Sequence, residues 1–239
     1  ILFSSDAFGQ HYAGYEMFDD VLGPAVMPHA KKYFANILLL YAPKILKLAE
    51  RIGEMGLDIR MICPDHGIIW RQDPAKIINA YVTWSEQVPM DKALVVYDTM
   101  WNSTRVMAEA IADGIAGTGV AVKPIHIRSS HRSEIMTDVL DAKALVFGSP
   151  TLNNNLFPTV SDILTYVKGL RPKNKIGAAF GSYGWSGEAV GLIQQELAAM
   201  GAEIVEQGLR LHYVPDARGV AQCRNFGTTI GTAVKGDSI

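Results

Sequence analysis

Three segments of the 239-residue sequence concentrate hydroxyl, amide, glycine and tryptophan residues able to grip a phosphorylated aromatic ligand. They are Tyr97-Asp98-Thr99-Met100-Trp101-Asn102-Ser103-Thr104, Gly148-Ser149-Pro150-Thr151-Leu152-Asn153-Asn154-Asn155 and Gly181-Ser182-Tyr183-Gly184-Trp185-Ser186-Gly187. In the first, Thr99, Ser103 and Thr104 offer hydroxyls at a predicted helix start, where unpaired backbone N–H groups and the positive end of the dipole suit a phosphate. The plainer alternative is that Thr99 or Ser103 only caps that helix. In the third, the glycines let backbone amides approach a ring's polar edge, and Trp185, together with Trp101, offers an aromatic face for stacking. A tryptophan taken alone is more often core; these two stand in loops that follow strands.

The elements expected to position these loops alternate in type. Apolar β-rich runs at 93–97, 120–127, 142–148, 175–181 and 204–214 are separated by amphipathic stretches at 104–116, 134–140, 158–168 and 187–200, with a last helix over 216–235. That alternation predicts an α/β fold, a flavodoxin-like five-stranded parallel doubly wound sheet. In such a sheet the carboxyl ends of the first, third and fourth strands meet where the strand order reverses, so all three loops point at one crevice. No GxGxxG follows the first strand and no GxxxxGK[ST] occurs, which argues against a dinucleotide fingerprint and a P-loop. FMN is the cofactor expected, with Met100, Asn102, Pro150, Thr151, Leu152, Asn153, Asn154, Ser182, Tyr183 and Gly184 lining its site beside the groups already named.

Residues 1–88 form a separate, less regular domain, and the polar stretch 86–92 containing Pro89 marks the boundary to a second domain over 89–239. A helix over 25–41 is expected to be interrupted at Pro43, and 44–54 continues with Ile45, Leu46, Leu48, Ala49 and Ile52 on one face. A strand at 58–63 then leads to the Pro64-Asp65-His66-Gly67 turn, and Asp73-Pro74 opens a helix to about 87. The chain starts as an apolar strand, Ile1-Leu2-Phe3-Ser4-Ser5-Asp6, and reads as though cut from within a domain. With 22 basic against 24 acidic residues, nothing favours nucleic acid or an anionic membrane as partner. Cys63 and Cys223, without CxxC spacing, suit a reducing cytoplasm.

The three loops are similar to the FMN loops of flavodiiron proteins. The resemblance extends to Leu2-Phe3-Ser4-Ser5-Asp6-Ala7-Phe8-Gly9 and Cys63-Pro64-Asp65-His66-Gly67, which resemble two ligand-bearing turns of that family's metallo-β-lactamase-like αββα domain. It covers nearly the whole chain and fades after about Val214. It implies that 1–88 is the C-terminal part of a di-iron domain, with Asp6 as the carboxylate bridging two irons and His66 as a histidine ligand; both would be catalytic. It implies an oxidoreductase that passes electrons from rubredoxin or a similar carrier through FMN to a non-haem di-iron site, reducing dioxygen to water or nitric oxide to nitrous oxide. A head-to-tail homodimer or larger assembly would bring the flavin of one subunit to the metals of its neighbour. The family's His-x-Glu-x-Asp-His motif does not occur in these residues, so the remaining ligands are expected upstream. Without the resemblance, Asp6 reads as a turn residue, His66 carries no spacing motif, and His11 and Asp65 are supporting or surface groups. His29, His126, His131 and His212 read as ordinary histidines. The competing readings are a flavodoxin-like electron carrier and an NAD(P)H:quinone reductase, both without metal chemistry.

Overall fold

In the computed structural model residues 1–236 are described, and they fall into two compact units, Ile1–Val88 and Pro89–Ile239. The first unit runs β1 (Leu2–Ser5), α1 (Asp19–Leu22), α2 (Val26–Tyr33), α3 (Ala42–Glu54), β2 (Ile62–Pro64) and α4 (Pro74–Glu86). Strands β1 and β2 pair in parallel with Leu2 opposite Ile62 and Phe3 opposite Cys63. The strand expected over 58–63 is therefore a three-residue one. The helix expected over 25–41 changes character midway: after α2 the chain makes a π-turn over Phe34–Leu38 and a 3-10 turn over Leu39–Tyr41 before α3 begins, with Pro43 in its first turn. Proline lacks a donor N–H and crowds the preceding turn, so a re-wound backbone ahead of it is the physical outcome. Packing of α3 on α4 encloses Phe34, Ile77 and Tyr81, but the α3 side chains Ile45, Leu46 and Ile52 are only half-buried and Leu48 is exposed.

The second unit continues with β3 (Met90–Tyr97), α5 (Ser103–Ala116), β4 (Ala121–His126), α6 (Arg132–Asp141), β5 (Ala142–Gly148), α7 (Pro158–Leu170), β6 (Ile176–Tyr183), α8 (Glu188–Ala199), β7 (Glu203–Ile204), β8 (Leu209–His212) and α9 (Ala217–Lys235). The sheet order is β4-β3-β5-β6-β7, with β8 also on β6, and every pairing is parallel. This is the doubly wound order with its reversal between β3 and β5. The fifth strand position is shared. β7 pairs with Ile176 and Gly177, and β8 pairs with Phe180 to Tyr183, so the single strand expected over 204–214 is broken. Within the break, a Cβ on Gly208 would stand 2.2 Å from Val190 Cγ1, so the backbone there passes too close to α8 for any side chain.

Because helices cover the sheet, its central strands are apolar on both faces. Ala93, Val95 and Tyr97 join Val146, Ala178 and Phe180 in a core cluster with Met107, Ile111 and Ile115 of α5 and Phe226, Ile230 and Val234 of α9. Leu94, Val96, Leu145 and Phe147 alternate with them and are fully buried too. Each such side chain contributes about 1.5–3 kcal/mol. Gly227, a weak helix former by composition, sits where α9 crosses α5; a Cβ there would lie 2.1 Å from the Ile111 carbonyl oxygen. No helix among the described residues is long and apolar enough to cross a membrane.

Candidate functional site

The register of the sheet decides where the loops emerge. Tyr97 of β3 lies opposite Gly148 of β5, and Gly148 opposite Phe180 of β6, so the three strands end nearly level and release their loops at one edge. Between those loops lies a cavity of about 580 Å³. From the loop after β3 it is lined by Thr99, Met100 and Trp101, and from the loop after β5 by Pro150, Thr151, Leu152, Asn153 and Asn154. The loop after β6 adds Ser182, Tyr183, Gly184, Trp185 and Ser186. Four sequence-selected residues stand behind this lining. Asn102 is the left-handed residue, φ 67°, that precedes α5, and Ser103 opens the helix. The buried Thr104 hydroxyl pairs with that of Ser182 at 2.9 Å. Gly181 is a spacer, since a Cβ there would sit 2.2 Å from the Ser149 carbonyl oxygen.

Local hydrogen bonds lock the loops to one another. Leu152 and Asn155 exchange backbone bonds of 3.0 Å each, closing a turn in which Asn153 and Asn154 take φ 50° and 57°, a conformation asparagine tolerates. Thr151 N–H donates to the Ser182 carbonyl at 3.1 Å, and Ser186 Oγ to Asn154 Oδ1 at 3.2 Å. Tyr213, just past β8, adds a further aromatic wall and adopts φ 60°. It escaped the sequence reading; the signal that could have found it is its place at a strand's carboxyl end, where ligands of such sheets bind. His212, read as an ordinary histidine, bonds the Gly184 carbonyl through Nε2 and stacks 3.8 Å from the Tyr213 ring.

FMN fits this cavity on three observations. Thr99 Oγ1 is buried and has no hydrogen-bond partner, and such an orphan is costly unless a ligand satisfies it. No side chain caps α5 either, which leaves its dipole free to face a phosphate. Trp101 and Trp185 are 82% and 92% exposed, an arrangement that is wasteful in water but suited to sandwiching a flat heterocycle. Beneath the first loop lies Asp98, a fully buried carboxylate that belongs to the first segment but is assigned no role from sequence alone. Burial pushes its pKa up, but hydrogen bonds from Thr159, Arg128 and the Thr99 N–H, with the Arg128 charge, outweigh that and hold the carboxyl below its ordinary value.

In the first unit, the ends of β1 and β2 bring Asp6 and His66 together, Oδ1 to Nε2 at 3.2 Å, with both side chains about half exposed. Gln10 stitches the two turns: its backbone N–H donates to the His66 carbonyl at 3.2 Å, and its side chain accepts from Ile68 N–H at 2.6 Å. Gly67 is required beside it, with φ 84° and Gln10 Oε1 only 1.5 Å from where a Cβ would be. Tyr33 and His11 flank the pair, their rings 6.1 and 6.0 Å from that of His66. Burial first, then the charge and hydrogen bond of Asp6, push the Tyr33 phenol up to about 12. Asp65 takes a 3.1 Å hydrogen bond from Ser5 Oγ. Among the described residues no group of three or more His, Cys, Asp or Glu side chains is placed to hold a metal ion. One carboxylate and one imidazole do not by themselves fit a di-iron centre.

Residues 95–227 match the family model described as flavodoxin, and the chain belongs to that family. Its close homologues are flavodiiron proteins. It is 42% identical over 236 residues to a nitric oxide reductase of Moorella thermoacetica, covering 98% of this chain and 59% of that protein. The solved structure of rubredoxin oxygen:oxidoreductase from Desulfovibrio gigas superposes with a TM-score of 0.95 at 38% identity, covering 98% of this chain and 59% of that one. The flavodiiron protein of Giardia intestinalis superposes with a TM-score of 0.92 at 34% identity, over 98% of this chain and 58% of that one. The chain thus spans somewhat over half the length of the relatives it matches.

Proposed function

We propose that this chain is the flavin-bearing part of an oxidoreductase in which FMN, held by the three loops of the second unit, relays electrons from rubredoxin or a similar small carrier to a non-haem di-iron site that reduces dioxygen to water or nitric oxide to nitrous oxide. The observation that carries the flavin half of this reading is the unpaired Thr99 hydroxyl in a cavity that also presents the exposed indoles of Trp101 and Trp185. When bound, FMN would supply chemistry that joins single-electron donors to a multi-electron acceptor. The chain's own part is positional. Thr99 and the start of α5 with Ser103 hold the phosphate, the two tryptophans and Tyr213 cover the ring, and the backbone of the loops after β5 and β6 faces its polar edge.

For the metal half, Asp6 and His66 are the ligands within this chain, supported by their 3.2 Å approach and by the names of the relatives. The unit 1–88 is then the C-terminal part of a metallo-β-lactamase-like di-iron domain and 89–239 the FMN domain. This reading needs further ligands from polypeptide outside these residues, a head-to-tail homodimer that brings flavin and metal together, and a reducing cytoplasmic setting. A plain flavodoxin-like electron carrier is the second reading, favoured by the lack of a third metal ligand among the described residues.

Flavin and iron analysis of the purified protein, with gas consumption driven by reduced rubredoxin, separates them. FMN with iron and uptake of dioxygen or nitric oxide is the expected result. FMN without iron or gas uptake leaves the carrier, and absence of FMN overturns both.

A further inference from the structure

The turn after β3 holds one residue by both of its backbone groups. The Thr99 N–H donates to Asp98 Oδ1 at 2.6 Å, and the Thr99 carbonyl accepts from Arg128 Nη2 at 3.3 Å. Arg128 Nε closes the ring by donating to Asp98 Oδ2 at 3.0 Å. Only the Thr99 hydroxyl is left without a partner. The carboxylate at the centre of this arrangement is fully buried, so its charge requires donors on every side. They come from distant parts of the chain: the Thr159 hydroxyl on the first turn of α7 bonds Oδ2, and His126 Nε2 at the end of β4 lies 3.4 Å from Oδ1. The Arg128 guanidinium also lies 5.2 Å from the ring of Phe157, the residue that closes the loop after β5. A half-exposed arginine that does not line the cavity therefore ties the first flavin loop to the second.

We propose that Asp98 and Arg128 are positioning residues that present the Thr99 hydroxyl to the phosphate of the flavin, so that the pair makes the site selective for a phosphorylated flavin over riboflavin. This rests on the flavin reading of the cavity. The physical logic is pre-organisation: a hydroxyl whose backbone is fixed on both sides meets the phosphate without first losing conformational freedom. Arg128 also neutralises the carboxylate that would otherwise repel a phosphate bound close by. Lysine could not replace it, because a single ammonium lacks the fork that reaches the carboxylate and the Thr99 carbonyl together.

The test is titration of the flavin-free protein with FMN and, separately, with riboflavin, for the wild type and for Arg128→Gln and Arg128→Lys. Both variants are expected to lose about tenfold or more in FMN affinity, with riboflavin affinity unchanged. Equal loss for the two flavins, as a merely structural role would give, overturns the proposal, and so does undiminished FMN affinity. If the arginine variants do not fold, Thr159→Val removes one donor from Asp98 and must show the same split between the two flavins; its absence there overturns the proposal as well. A wild type that binds riboflavin as tightly as FMN also overturns the proposal, whereas a wild type that binds neither overturns the flavin reading on which it rests.

Discussion

The loops of the second unit and the paired turns of the first present opposite economies of polar groups. At the flavin cavity a donor is left over: Thr99 Oγ1 is buried and unpaired while its backbone is fully engaged. At the Asp6–His66 turns the side chains already meet each other, and Gln10, Ser5 and Gly67 fix the backbone around them. The first is a site whose unpaired donor fits a bound phosphate group. The second is a pair of candidate ligands too few for a metal centre. Three loops leaving one sheet edge make a site that is self-contained within one unit, whereas two short strands offer only two turns.

Several substitutions would break or sharpen that contrast. The largest effect is expected from Gly181→Val, whose Cβ would lie 2.2 Å from the Ser149 carbonyl oxygen and force the loops after β5 and β6 apart. Flavin binding should vanish and the unit should lose about 3 kcal/mol of stability, checked by denaturant unfolding. Trp185→Ala should cost about 1–2 kcal/mol of FMN affinity while leaving unfolding untouched, since the indole is 92% exposed. An unaltered affinity would remove it from the ring-binding set.

A gentler probe uses pH. The Asp98 pKa is depressed in the folded state, so its stabilisation is complete above the ordinary carboxyl value of 3.8 and is lost as pH falls through the lower folded value. The stability difference between wild type and Asp98→Asn should therefore be largest near neutrality and shrink below about pH 4. A pH-independent difference would contradict that assignment. The smallest effect is expected from Asp6→Asn, which should leave FMN affinity within error of wild type because the flavin cavity is lined wholly by residues from Thr99 onward.

What the residues disclose in advance follows their range of interaction. The alternation of apolar runs and amphipathic stretches is local, and it foretells five strand positions and the crevice at their ends. The break between β7 and β8 is not legible locally; within it Gly208 lies close against Val190 of α8, a contact between separate elements. Gly227, a weak helix former, stands in α9 because a Cβ there would lie 2.1 Å from the Ile111 carbonyl oxygen of α5. Asp98 is legible only through partners 30 and 61 positions away, Arg128 and Thr159. Tyr213 reaches the cavity, with His212 beside its ring, because β8 pairs with the far end of β6, which no spacing announces. In the first unit β2 is only three residues long, which its apolar run does not announce, whereas the re-wound backbone between α2 and α3 follows locally from Pro43.

The most direct test is to add FMN to the flavin-free protein and follow flavin fluorescence. Stacking on Trp101 and Trp185 predicts saturable, near-complete quenching that Trp185→Ala weakens. Flavin emission that stays unchanged at protein in excess would contradict the site.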